Sequence, residues 1–150
     1  MLVYIDNRQE KIEVDNNIEE ILEKVVKECL LLEKESTDYE VSISLVDNEE
    51  IRDLNREYRN IDRETDVLSF PLDEDFGEVP ILGDIVISLE KALEQSKEYN
   101  HSLVREVAYL TAHSMFHLMG YDHMGENEKK IMRKKEKEIM KRLGIFKDEI

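Results

Sequence analysis

The chain has 150 residues, of which 38% are charged and 41% hydrophobic, with five glycines and two prolines; this balance fits one compact, helix-rich domain over 1–150 and excludes a disordered or repeat protein. The formal net charge of -15 repels nucleic acid and anionic membranes at long range, so a polyanionic substrate needs a local patch. Cys29 is the single cysteine, so an intramolecular disulfide is ruled out. No stretch reaches the roughly 18 apolar residues of a membrane span, and Met1–Asp6 lacks a basic leader, so a cytoplasmic, reducing context is expected.

Leu2 to Ile5 forms a short apolar run closed by Asp6-Asn7, the pattern of a buried strand. Ile18, Ile21, Leu22, Val25, Val26, Cys29 and Leu30 then recur at helical spacing behind capping residues Asp15 to Asn17, which predicts an amphipathic helix with a buried thiol. Tyr39, Val41, Ile43 and Leu45 alternate with polar residues, as in a strand with one covered face. Asp47 to Glu50 resembles a capping box and opens a helix carrying Ile51, Leu54 and Tyr58.

Asn60 to Asp66 is polar and turn-like, and Val67-Leu68-Ser69-Phe70 reads as a strand ended by Pro71. An acidic loop with Asp73, Glu74, Asp75, Gly77 and Pro80 leads to a last strand at Ile85-Val86-Ile87, close enough to the Val67 strand for a hairpin. Ser88 and Ser102 can cap two further helices. The second is apolar on nearly every side from Leu103 to Met119, which marks a buried helix. A final helix from Glu126 to Leu143, stopped by Gly144, carries many lysines interspersed with glutamates and reads as a solvated face. The whole predicts an α+β domain with a small mixed sheet of about four strands packed by five or so helices.

Chemistry concentrates at Ala112-His113-Ser114-Met115-Phe116-His117-Leu118-Met119-Gly120-Tyr121-Asp122-His123, which holds three of the four histidines. His113 and His117 stand at i and i+4, on one helix face, and form a chelating pair. Gly120 can end the helix in a left-handed turn that swings His123 toward them as a third ligand. Three histidines leave a coordination position open, as in catalytic centres. Zinc is the leading metal, although nickel, copper, iron and cobalt accept the same donors. Ser114 occupies the place where His-Glu-x-x-His peptidases carry their general base, and a serine cannot replace a carboxylate there. Asp122 is either a turn residue or a group that orients a ligand imidazole. His101, at a helix start, reads as a surface residue. A second polar cluster runs Asn55-Arg56-Glu57-Tyr58-Arg59 and on to Asp62, Thr65 and Asp66; from spacing alone Arg59 is a surface ion-pair residue, although an arginine fork also suits a phosphodiester.

The segment His113-Ser-Met-Phe-His117-Leu-Met-Gly-Tyr-Asp-His123 resembles the His-Gly-x-Leu-His-Leu-x-Gly-Tyr-Asp-His signature of YbeY-type metal-dependent endoribonucleases. Asn55-Arg-Glu-Tyr-Arg59, Thr65-Asp-Val-Leu-Ser-Phe-Pro71 and Leu82-Gly-Asp-Ile85 are similar to that family's other blocks, in the same order. Ser114 replaces a glycine and Phe116 a leucine; the first adds a hydroxyl expected close to the metal. The resemblance implies a zincin-like fold, His113, His117 and His123 as ligands of one Zn2+ ion, and Arg59 as a functional arginine. It also implies single-strand-specific cleavage of ribosomal RNA, notably at the small-subunit 3′ end, and a role in ribosome quality control. The expected partners are single-stranded RNA and ribosomal proteins, with neither DNA nor membrane involved. Two other readings are a metallohydrolase acting on a peptide or ester, and a ribosome-assembly module whose metal only stabilises the fold.

Overall fold

The computed structural model describes residues 1–74, 79–121 and 124–145. In chain order the elements are β1 (Leu2–Asn7), α1 (Asn16–Lys34), β2 (Glu40–Val46), α2 (Asn48–Arg59), β3 (Val67–Glu74), β4 (Ile81–Ser88), α3 (Leu89–Glu98), α4 (Leu103–Leu118) and α5 (Glu126–Arg142). The strands form one mixed sheet in the order β1-β2-β4-β3, with β1, β2 and β4 parallel and β3 antiparallel to β4. The α+β architecture with four strands and five helices is therefore the one expected, and the β3–β4 pairing is the expected hairpin neighbourhood.

Alternation along the strands separates two cores. Val41, Ile43, Leu45, Ile85 and Ile87 join the main core with α1, α4 and α5, while Val46, Leu68 and Val86 pack with Ile51 of α2 in a second cluster. Opposite faces of the sheet thus carry opposite sets of helices. α4 lies in the main core and touches α1, α3, α5, β3 and β4, which explains why it is apolar nearly all round. Cys29 is fully buried there, and burial, followed by the nearby glutamates, pushes its thiol well above the usual range. The predicted caps form: Asp15 accepts from the Ile18 amide, Asp47 from Glu50, Ser88 from Lys91 and Ser102 from Arg105.

Four expectations need correction. β1 is not a buried strand: it is an edge of the sheet, with Leu2 and Tyr4 exposed. Pro71 does not end β3, which continues to Glu74 with an irregular register after Pro71. β3 is the outermost strand, where a residue without an amide hydrogen costs no ladder bond on the open side. β4 starts at Ile81, four residues before the Ile85 run. Gly83 stands opposite Pro71 there, and a Cβ on it would lie 2.5 Å from the Phe70 carbonyl oxygen and 2.8 Å from Leu118 Cδ2; the glycine lets sheet and α4 approach. His101 is not a surface residue. Its ring lies 2.6 Å from Glu106 Oε2, with the two side chains only 9% and 3% exposed, because a buried carboxylate requires a hydrogen-bonding partner. The acidic loop expected around Asp75 to Gly77 lies outside the described residues.

Candidate active site

One turn of α4 separates His113 from His117, and their rings meet edge to face with centroids 4.8 Å apart. Nδ1 of His113 lies 2.7 Å from Oε2 of Glu136 on α5. Glu136 is buried, so its carboxylate is an acceptor that needs a donor, and Nδ1–H supplies it. That bond fixes the imidazole tautomer and leaves Nε2 as the nitrogen with the lone pair. Tyr109, one turn earlier, stacks on His113 with centroids 6.1 Å apart. Burial, then the charge of Glu136, pushes the Tyr109 phenol up to about 12.

Sequence reasoning missed Glu136 because the helix it sits on is so strongly charged. The signal was available: Met132, Glu136, Ile139 and Met140 are the buried positions of α5, so a glutamate occupies the helix's apolar stripe.

The end of α4 is a Schellman turn. Gly120 has a φ of 97°, the Gly120 amide donates to the His117 carbonyl at 3.0 Å, and the Tyr121 amide donates to the Phe116 carbonyl at 2.9 Å. The Phe116 and Tyr121 rings close the motif edge to face, 5.9 Å apart. The Tyr121 hydroxyl donates to Glu33 of α1 at 2.7 Å, and Lys135 of α5 binds the other oxygen of Glu33. The helix therefore ends at Gly120 in the left-handed turn expected. Asp122 and His123, the expected third ligand, lie outside the described residues. Among the described residues no group of three or more His, Cys, Asp or Glu side chains is arranged to hold a metal.

Arg59 reaches the same place from α2. It is the helix's last residue, followed by Asn60 in a left-handed conformation with φ 59°. Its guanidinium donates to the Ser69 carbonyl of β3 at 2.6 Å and sits 5.5 Å above the Phe70 ring. Buried Asn55 holds the following loop by donating to the Arg63 carbonyl at 3.0 Å. The ion pairs of this cluster belong to its neighbours, Arg52 with Asp62 and Arg56 with Asp53 and Asp62. Arg59, Asn55, Ser69, His113 and His117 all line one open cleft of about 710 Å³.

Ser114 does not present a hydroxyl to this cleft. It is fully buried, and its Oγ shares a hydrogen bond with Ser69 Oγ where α4 packs on β3. Residue 114 follows His113 by about 100° around the helix, which turns it toward the sheet. Ser69 consequently ties Arg59, through its carbonyl, to the histidine helix, through its hydroxyl.

Two adjacent imidazoles on one helix face, one of them oriented by a buried carboxylate, are donors of the kind a zinc ion takes.

Comparison with known proteins joins these blocks into one pattern. The family model described as Endoribonuclease YbeY matches residues 4–144. The endoribonuclease YbeY of Thermoanaerobacter sp. (strain X514) is 59% identical over 158 residues, covering 97% of this chain and 99% of the relative. That of Clostridioides difficile is 53% identical, covering 99% of this chain and 100% of the relative. The solution structure of TM1509 from Thermotoga maritima is 28% identical, covers 95% of this chain and 92% of its own, and superposes with a TM-score of 0.58. A match that runs through both the arginine helix and the histidine helix, at such identity and coverage, means that this chain belongs to the endoribonuclease YbeY family.

Proposed function

We propose that this chain is a metal-dependent, single-strand-specific endoribonuclease of the cytoplasm, acting in maturation of ribosomal RNA ends, including the small-subunit 3′ end, and in ribosome quality control. The observation that carries the reading is the meeting of Arg59 with the His113–His117 pair in one cleft. His113, His117 and His123 would hold one zinc ion. When bound, zinc supplies Lewis acidity toward water and toward a phosphoryl oxygen.

The chain's own groups do the remaining work. Glu136 holds His113 by Nδ1, so Nε2 is the nitrogen offered to a ligand. Arg59 lines the same cleft with a fork of donors suited to two phosphate oxygens, and its anchorage on the Ser69 carbonyl orients that fork. An arginine so placed binds the scissile phosphodiester and stabilises the charge that develops on it, a role worth about 10²–10³ in rate for a preorganised donor. The buried Ser114 leaves the peptidase position without a base, which favours a phosphodiester over a peptide as substrate. Single-stranded RNA and, within a ribosomal particle, ribosomal proteins are the partners of this reading.

Purified protein incubated with single-stranded and duplex RNA tests it. Cleavage of the single strand alone is expected, lost with a chelator and lost in His117→Ala and Arg59→Ala. Cleavage that persists in both variants, or turnover of a peptide panel in place of RNA, would overturn it.

A further inference from the structure

Beyond the histidines, α4 and α5 enclose a second groove of about 620 Å³. Its apolar surface comes from Tyr99, Tyr109, Met140 and Ile145, and its cations are Arg105, Arg133, Lys137 and Lys141. Two carboxylates also face it, but both are buried and engaged: Glu106 with His101 and Gln95, and Glu136 with His113. Nη1 of Arg105 is buried and has no hydrogen-bond partner among the described residues. In a chain of net charge -15, four cations around an aromatic floor are a local reversal of the overall field.

The groove is also connected to the cleft through shared lining residues. A depression of about 200 Å³ between them shares His113 with the cleft and Tyr109 and Arg133 with the groove, and adds Lys129. An acidic peptide would match the charge, but nothing would connect it to the cleft; a polymer with one phosphate per nucleotide matches both.

We propose that this groove is a second RNA-binding subsite, which holds the single-stranded segment running away from the cleavage site. Arg105, Arg133, Lys137 and Lys141 bind its phosphates, and the exposed rings of Tyr99 and Tyr109 stack its bases, the combination by which proteins hold single strands without reading sequence. The inference rests on the RNA-cleaving reading above and extends it to substrate length.

The test is binding of labelled single-stranded RNA of about 5 and about 15 nucleotides to the purified protein and to Lys137→Glu/Lys141→Glu. Both lysines are exposed, so the double variant is expected to fold with an unchanged circular dichroism spectrum; Arg133→Glu, also exposed, is the second variant. Wild type should bind the longer RNA roughly tenfold or more tightly than the shorter one. The double variant should lose most of that length advantage, and its plot of log affinity against log salt should flatten by about 1.4, two single-strand phosphate contacts at roughly 0.7 each.

Undiminished binding of the long RNA by both variants would overturn the subsite. So would unchanged RNA binding accompanied by an altered oligomeric state, which would make the groove an interface between copies. Wild-type cleavage of the same RNA is followed in parallel. If it is present while the variants bind normally, only the subsite fails; if wild type neither cuts nor binds RNA, the functional reading falls and the subsite with it.

Discussion

Oε2 of Glu136 lies 2.7 Å from Nδ1 of His113, and this single contact crosses from the last helix to the first residue of the histidine signature. Outer partners of this kind typically contribute about 10–100-fold to metal affinity. Glu136→Gln keeps the volume but removes the charge, so zinc affinity, measured by competition with a chelating dye, should fall by about 10–100-fold while the fold persists. Unchanged affinity would show that His113 is oriented by other contacts.

Arg59 joins the cleft to β3 through the Ser69 carbonyl. Arg59→Lys preserves the positive charge but loses the planar fork and the bond to the strand. RNA cleavage should drop by about 10²-fold, with melting temperature nearly unchanged because the residue is exposed. A lysine variant with wild-type kcat would show that charge alone suffices.

Gly83→Ala would place a Cβ against the Phe70 carbonyl and Leu118. The carbonyl is backbone and cannot swing aside. Overpacking here should destabilise by roughly 3 kcal/mol, lowering Tm by roughly 6–12 °C in a thermal melt. A smaller shift would show that β3 gives way at its irregular segment after Pro71.

Burial, then the charge of Glu136, pushes the Tyr109 phenol up to about 12, against about 10 in an unfolded chain. Its folded value is the higher one, so its contribution to stability is complete below about pH 10 and disappears as pH rises through about 12. In wild type a tyrosinate absorbance step near pH 12 is expected, and Tyr109→Phe should remove it. A step near pH 10 would place the ring outside the Glu136 environment.

Most elements were legible because they rest on local rules. Caps at Asp15, Asp47, Ser88 and Ser102 announce helices, and period-two alternation marks β2. Gly120 announces the turn that the Schellman hydrogen bonds then make. What was not legible depended on contacts between distant segments. Pro71 reads as a stop until the strand is known to be an edge; the close approach at Gly83 shows only once α4 is packed on it. Ser114 looks like a neighbour of the metal, but helix phase turns it into the β3 interface. Glu136 is one acidic residue among many on a charged helix, and only its position in the buried stripe, facing a histidine 23 residues earlier, sets it apart. Arg59 likewise acquires a direction only from the Ser69 carbonyl on a different strand.

The clasp of Tyr121 and Lys135 on Glu33 has a consequence for the order of events during synthesis. The two bonds span 88 and 102 residues, so neither can form while the nascent chain is short, and non-local closures of this length come late in folding. On a chain emerging from its N-terminus, Glu33 is displayed long before its partners exist, and both histidines of α4 appear before Glu136 and Lys135. Tyr121 can reach Glu33 once α4 has emerged, whereas the Lys135 and Glu136 contacts form only when α5 has left the ribosome and docked. His113 therefore gains its Glu136 partner only with the arrival of the last helix.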